Sequence, residues 1–330
     1  MKKKLLAIVF SILSSSVMAQ YVPTNSQAFQ FLPIFNPAFS GVENFGDLKL
    51  SYRYQWAGFE GAPKFINLSY NSRLKQPLDM SYNSFRGSNT STLSQQELPR
   101  MKGLIFGFGA NIFQYKDRVL NSIGGSFNFS VNYPLNKTMR LAAGVSSLIE
   151  NRKMNVREIA VRDPDPFYEH LLRSSTTQTD LNVRVGALLY GDNFYFGVSY
   201  LPLVNLALQS SDLAMEKAFY TASLQAGYAI PVNEEIMLKP SILALLQMDN
   251  GVDVSYSMKA FIQNKVFLGL TYRNTPGGVL LLGFNIDERF TASYSYEMSL
   301  GNFQKFNDGS HELVLAARLK NLRKYTQYIW

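Results

Sequence analysis

The sequence predicts an all-β fold, a single antiparallel transmembrane β-barrel of 14 strands with both termini in the periplasm. Charged residues make up only 17% of the 330 residues and aromatic residues 14%, whereas about 25% charged residues is usual for a soluble domain. After residue 19 no stretch is long and apolar enough for a membrane-spanning helix. A membrane chain without such helices must form a closed barrel, because lipid offers the backbone no hydrogen-bond partners.

Alternation of apolar and polar residues supports this prediction. Within 122–133 the odd positions are apolar or Gly, and the even positions are Ser, Asn or Gly. The same alternation recurs in 252–262 and 290–298. A period of two over segments of this length predicts strands, and small polar residues on one face suit a wet lumen. A soluble β-sandwich also alternates, but its outer faces need more charge.

The alternation and the turn residues divide the chain into fourteen predicted strands. They are 47–54, 64–72, 102–114, 120–133, 138–150, 179–190, 193–201, 218–230, 236–247, 252–262, 265–274, 278–286, 290–298 and 311–320. An even count is typical of bacterial single-chain barrels, in which short periplasmic turns alternate with longer outer loops. This parity places the long loops 151–178, 202–217 and 299–310 outside the cell. It places the long polar insertion 73–101 in the periplasm.

The first nineteen residues are predicted to be a signal peptide. Three lysines at positions 2–4 precede the apolar run 5–13, and small residues lead to a cleavage site after Ala19. The apolar run is too short for a retained anchor helix. The remaining chain then divides into an N-terminal segment (20–46), the barrel (47–320) and a periplasmic tail (321–330). The first of these is apolar, and we expect it to plug the barrel or contact its periplasmic mouth.

Composition also excludes several classes of site. Cysteine is absent and only two histidines are present, so a disulfide framework and a thiolate metal site are excluded and little remains for a histidine-based site. Removing the signal-peptide lysines reduces the 32 basic residues to 29, against 24 acidic residues. So small a surplus gives no case for binding nucleic acid. We expect neither a cofactor nor a metal.

Catalysis is not expected either. His311 between Ser310 and Glu312 is the one constellation that merits consideration. Adjacent residues of a strand point to opposite faces, which places the serine and the histidine badly for a nucleophile and its base. Five charged residues fall on predicted lumen positions, and we expect them to pair across a filled or narrow interior. They are Arg184, Asp253, Lys259, Arg273 and Glu297.

Short motifs stand near both ends of the predicted barrel. Their candidate motif or partner-binding residues are Asn36, Pro37, Gly41, Gln55, Trp56, Gly58, Gly61, Ala62, Pro63, Gly309, Ser310, His311 and Glu312. Asn-Pro and Gly-Ala-Pro are typical of turns. Trp56, at the end of the first strand, suits either an interfacial belt or a grip on a partner. The 309–312 segment suits either a loop held at the barrel rim or a contact with a client.

The order and spacing of these motifs, in 36–41, 53–63 and 294–312, resemble the PorP/SprF family. Members are outer-membrane barrels of the type IX secretion system and gliding machinery of certain Gram-negative bacteria. Leu-Lys-Pro-Ser at 238–241 and Gly-Leu-Thr-Tyr-Arg at 269–273 resemble the family's middle strands. Two features depart from the family: Glu297 stands where Asp is usual, and the insertion 73–101 is longer than the usual connection.

The resemblance implies a non-enzymatic barrel in the outer membrane that partners a large secreted surface adhesin. It would bind the adhesin's type IX C-terminal domain, work with periplasmic and outer-membrane components of the type IX and gliding machinery, and support export, anchoring or gliding. An alternative is a channel or transporter for a hydrophobic small molecule, because a barrel of this size can hold a ligand. Transport predicts an unblocked lumen, whereas the partner hypothesis predicts a plugged or narrow one.

Overall fold

The computed structural model describes most of the chain from residue 25 to residue 319. The described residues are 25–74, 103–136, 138–158, 168–169, 172, 174, 176–211, 221–233, 235–247, 251–263, 265–274, 277–287, 289–299 and 307–319. Among them, no helix has both the length and the apolar character needed to cross a membrane. The predictions for the signal peptide, for most of the insertion and for the tail lie outside these residues.

The described residues form fourteen strands, which confirms the predicted count. In chain order they are β1 (Gly46–Tyr54), β2 (Lys64–Arg73), β3 (Ile105–Lys116), β4 (Leu120–Pro134), β5 (Met139–Met154), β6 (Thr177–Gly191), β7 (Phe194–Gln209), β8 (Ala222–Tyr228, continued as Ile230–Pro231), β9 (Ile236–Gln247), β10 (Gly251–Ile262), β11 (Val266–Arg273), β12 (Gly277–Asn285), β13 (Phe290–Ser299) and β14 (Ser310–Leu319). Each pairs antiparallel with the next.

The pairing of the first strand with the last closes the barrel. The β1–β14 register runs from Gly46 opposite Leu319 to Tyr54 opposite His311. Connections that follow odd-numbered strands lie at one end of the barrel, which we call the loop end. The other end, where β1 begins and β14 finishes, is called the turn end.

The two faces of the sheet differ as the alternation predicts. On β4 the outward side chains of Ile123 and Phe127 are 50% and 54% exposed. The inward side chains of Ser130 and Asn132 are fully buried. Outward apolar and inward polar residues are the pattern of a barrel that crosses a membrane.

The largest departure from the predicted strands is at β7. This strand continues to Gln209, so the prediction of a loop is wrong for 202–209. Val204 and Leu206 pair with Val183 and Leu181 of β6 beyond an irregularity in the register. Such an irregularity interrupts the period-two pattern, which hides the continuation of the strand in the sequence.

A segment that precedes β1 fills the lumen, and we call it the plug (Asn25–Phe45). It contains three short helical turns, Ala28–Gln30, Leu32–Phe35 and Pro37–Phe39. Its N-terminal residue contacts Ser51 in the loop-end half of β1, and its last residue leads directly into β1 at the turn end. The plug therefore runs along the lumen from the loop end to the turn end.

Candidate functional site: the plug and the loop-end rim

The N-terminal part of the plug is held by one buried carboxylate on the last strand. The amide of Asn25 donates to Glu312 Oε1 at 2.6 Å and to Ser51 Oγ at 2.8 Å. The backbone N–H of Gln27 donates to Glu312 Oε2 at 3.0 Å. Hydrogen bonds to an ionised group are stronger than neutral ones. Glu312 therefore ties the plug to the wall at the β1–β14 seam.

A second carboxylate joins three barrel strands to the plug. Glu297 forms ion pairs with Arg53 at 3.1 Å and with Arg273 at 3.4 Å, and it accepts a hydrogen bond from Ser26 at 2.6 Å. Arg273 also donates to the carbonyl of Asn25 at 2.7 Å. Two of the predicted lumen charges thus pair with each other, and both contact the plug.

Aromatic side chains fill the middle of the lumen. The rings of Phe39, in the plug, and Tyr195, in β7, meet edge to face with centroids 5.5 Å apart. Lys259, another predicted lumen charge, places its Nζ 5.3 Å from the ring of Phe29. Phe261 and Phe267 of the wall stack at 5.2 Å and belong to the same buried cluster. The plug is therefore packed like a protein core rather than loosely inserted.

Asn36 fixes the central turn of the plug against the wall. Its amide nitrogen lies 3.1 Å from Ala187 O, 3.2 Å from Val198 O and 3.1 Å from Gln225 Oε1. Its Oδ1 accepts from the backbone N–H of Ala38 at 3.0 Å, which caps the turn. The motif asparagine thus serves the turn and three strands at once.

Glycines on the inner wall make room for this turn. A Cβ atom at Gly107 would lie 2.1 Å from the carbonyl oxygen of Ser40, and one at Gly144 would lie 2.5 Å from Ala38 N. A Cβ atom at Gly186 would lie 2.0 Å from Asn36 Oδ1. These distances are far below van der Waals contact, so a side chain at any of the three positions would push the plug away from the wall.

At the turn end a single arginine holds the plug. Arg73 donates to the carbonyl oxygens of Gly41 at 2.9 Å and Val42 at 2.7 Å, and to Asn44 Oδ1 at 3.0 Å. Gly41, the last residue of the first motif, has φ +73° and lies against Gly107. A residue with a side chain would be strained there.

Glu43 is the unusual ionisable group of the plug. Its side chain is half-buried, but its Oε1 atom is inaccessible and has no hydrogen-bond partner among the described residues. Burial, followed by the nearby Asp47 carboxylate, raises the pKa of Glu43 from 4.5 to about 7, against the opposing effects of Lys49, Lys239 and Arg73. The lumen therefore favours the neutral form of Glu43 more than water does.

The second and third motifs meet at the loop end, because β1 and β14 are neighbours. Ala57 N donates to Gly309 O and Asp308 N donates to Ala57 O, each at 2.7 Å. The backbone N–H of Trp56 donates to Ser310 Oγ at 3.2 Å. We call this unit, made of residues 55–63 and 307–312, the loop-end rim.

Backbone conformations explain the glycines of the rim. Gly58, Gly61 and Gly309 have φ values of +83°, +75° and +87°. A Cβ atom at Gly61 would lie 2.7 Å from Arg118 Cβ. Gln55 N donates to Pro63 O at 2.9 Å, and Ala62 N to Phe59 O at 3.0 Å, so all six of the predicted residues between 55 and 63 belong to this one compact turn.

His311 and Ser310 lie on opposite faces of β14. Ser310 is buried in the lumen, whereas the His311 ring packs outside against Tyr296 at 5.3 Å and hydrogen-bonds Tyr294 Oη at 2.6 Å. His311 and the two tyrosines form an aromatic cluster on the outer face, as is typical of residues at a membrane interface. Within the described residues, no group of three or more His, Cys, Asp or Glu side chains could hold a metal ion.

Sequence reasoning missed part of this site. Arg73, which holds the plug, and Gly107, Gly144 and Gly186, which admit it, were not predicted, and Arg53 was included only as the first residue of the second motif. The alternation of inward and outward side chains, followed along β1 and to the end of β2, would have placed both arginines in the lumen. The glycines carry no comparable signal, because glycine also marks bulges and turns.

A closed antiparallel barrel with an apolar outer face and a polar inner face is an integral outer-membrane protein. Within that class the chain belongs to the PorP/SprF family, because residues 17–317 match the type IX secretion system membrane protein PorP/SprF. Family and fold together place the protein in the outer membrane and make it a component of type IX secretion. No curated protein matches the chain.

Several solved structures are similar in fold. The outer membrane protein Omp33 of Acinetobacter baumannii has a TM-score of 0.45 at 10% identity, over 85% of this chain and 99% of that one. The Pseudomonas putida toluene transporter TodX has a TM-score of 0.44 at 12% identity, over 92% and 94%. Outer membrane phospholipase A from Escherichia coli has a TM-score of 0.36 at 11% identity, over 84% and 93%.

Proposed function

We propose that this protein is a non-enzymatic partner of a large secreted surface adhesin. It binds the adhesin's type IX C-terminal domain at the loop end, which we place at the cell surface, and contacts type IX or gliding components in the periplasm. The observation that carries the proposal is the plug. With residues 25–45 packed as a core inside the barrel, the two ends become the surfaces through which the protein acts.

The rim is the candidate contact surface at the loop end. Phe59 is 44% exposed, Trp56 is half-buried and Glu60 is 87% exposed in its side chain. The rim backbone is fixed by several hydrogen bonds, so these side chains are presented from a rigid base. A rigid aromatic anchor with a polar surround is typical of protein-binding surfaces.

Transport of a hydrophobic molecule is the weaker alternative. It requires the plug to leave the lumen, which would break the bonds to Glu312, Glu297 and Arg73 and expose a cluster of buried aromatic rings. Catalysis by Ser310 and His311 is disfavoured by their opposite orientations.

Affinity purification from the native outer membrane tests the proposal. The tagged protein is extracted in mild detergent, and co-purifying proteins are identified and quantified by mass spectrometry. We expect a large secreted adhesin or type IX components in stoichiometric amount. A double variant, Trp56→Ala with Phe59→Ala, should lower recovery of the adhesin, and Ile286→Ala, an apolar residue that is 68% exposed at the turn end, should not.

The opposite result is equally clear. If the barrel is recovered alone, or if both variants retain the adhesin equally, the loop-end rim is not the contact surface. Conductance and uptake assays on the purified barrel then decide whether the lumen opens.

A further inference from the structure

One outward-facing row of residues crosses six neighbouring strands at the loop end. Pairing partners place its members side by side in the order His311, Tyr54, Lys64, Lys116, Asn121 and Lys153. Lys64, Lys116 and Lys153 are exposed. We call these three residues the lysine row.

The lysine row lies at the edge of the apolar outer band. Two to four residues further along the same strands, Ile66, Ile112, Ile123 and Ile149 are 42%, 63%, 50% and 47% exposed on the same face. Because a strand rises about 3.3 Å per residue, the lysines lie about 7–13 Å further toward the loop end than these isoleucines. This offset places them at the level of the lipid headgroups when the isoleucines contact the acyl chains. Lysine side chains at this level extend their ammonium groups into the interface.

Within the described residues, the lysine row is not paired with acidic side chains. Lys64 and Lys116 are direct cross-strand partners, and like charges in that arrangement repel. Over the part of the chain that the structure describes, none of the three lysines forms an ion pair; Lys64 Nζ lies 5.8 Å from the Tyr54 ring instead. Two acidic side chains at this end, Glu60 and Glu158, pair with Arg118 at 3.4 Å and 4.0 Å.

We propose that the lysine row binds the phosphate groups of a phosphorylated glycolipid in the outer leaflet. A phosphate offers several acceptor oxygens and a negative charge, and it can therefore accept hydrogen bonds from adjacent ammonium groups and neutralise their charge. Acyl chains attached to the same lipid would lie on the isoleucines below. The choice of leaflet rests on the proposed placement of the loop end at the cell surface. The site itself is independent of any client protein.

Native mass spectrometry of the purified barrel tests this site. Diphosphoryl lipid A is added in detergent, in parallel with phosphatidylglycerol and with inorganic phosphate as a competitor. Bound lipid is compared for the wild type, for Lys64→Gln/Lys116→Gln/Lys153→Gln, and for the control Lys265→Gln/Arg289→Gln, whose residues are exposed at the turn end. Heat-modifiable gel migration checks that each variant is folded.

We expect the wild type and the control to retain lipid A and the triple variant to retain about a hundredfold less, since each basic residue near a charged membrane surface contributes about fivefold and the three contributions multiply. Lys116→Gln alone should lower retention about fivefold on the same basis, which keeps the test decisive if the triple variant does not fold. Equal retention by the triple variant would overturn the site. Equal retention of phosphatidylglycerol would overturn the choice of lipid. Displacement of lipid A by inorganic phosphate at the same concentration would reduce the site to a simple anion site.

Discussion

Asn25 donates a 2.6 Å hydrogen bond to Glu312 although the two residues are 287 positions apart in sequence. One residue begins the described chain and the other lies in its last strand. The bond exists because the barrel closes on itself and brings β14 beside β1. The plug is thus anchored at the place where the two ends of the sheet meet.

Removing the charge of Glu312 should loosen the plug. In Glu312→Gln the side chain keeps its shape, but only one of its terminal atoms can still accept, so either the Asn25 amide or the Gln27 backbone N–H loses its bond to residue 312. We expect a destabilisation of about 1–3 kcal/mol, measured as a lower midpoint of heat-modifiable gel migration. Glu60→Gln, on an 87% exposed side chain, is the control and should leave the midpoint unchanged.

A methyl group on the inner wall should displace the plug. Gly107→Ala puts a Cβ atom 2.1 Å from the Ser40 carbonyl oxygen, which the backbone of the plug cannot accommodate without moving. We expect about 1–3 kcal/mol of destabilisation and a rise in single-channel conductance in planar bilayers. At Gly278 the nearest atom to a Cβ would be 3.8 Å away, so Gly278→Ala should behave like the wild type. If Gly107→Ala had the stability and the conductance of the wild type, the plug would not be tightly packed against this wall.

The rim should depend on Gly309. In Gly309→Ala the added Cβ meets the Tyr296 ring at 2.7 Å while φ stays at +87°. We expect faster hydrogen exchange at the Ala57 and Asp308 amides, whose bonds join the two motifs. Gly251→Ala is a matched control, because Gly251 has the same φ and open space around its Cβ position. Unchanged protection in Gly309→Ala would show that the rim tolerates the side chain.

Stability should fall as the pH rises from about 4.5 to about 7. The pKa of Glu43 is raised to about 7 in the folded protein from 4.5, so in this interval the folded state binds more protons than the unfolded state and loses stability with each deprotonation. Thermal midpoints in detergent at pH 4.5, 6 and 7.5 measure the effect. Glu43→Gln should flatten this part of the profile. An identical slope in that variant would assign the pH dependence to other groups.

The strands could be predicted from the sequence because each side chain of a strand must choose between lipid and lumen. The apolar Ile123 and the polar Ser130 indicate by residue type alone which face of the sheet each occupies. The extension of β7 could not be predicted, because the register irregularity near Val183 breaks the alternation. The pairings of Asn25 with Glu312 and of Asn36 with Gln225 were also out of reach, since each depends on where a closed barrel brings distant strands.

The closed β1–β14 seam has a consequence for biogenesis. The plug is joined directly to β1 and passes through the whole lumen, so it cannot be threaded into a finished barrel without carrying its preceding residues through a packed interior. The simplest order of events is that strands gather around the plug and the seam forms last, with Glu312 arriving on Asn25 and Gln27 as the ring closes. Closure of the β1–β14 seam and filling of the lumen by the plug are then a single kinetic step. A chain that fails to close the seam also fails to fill the lumen.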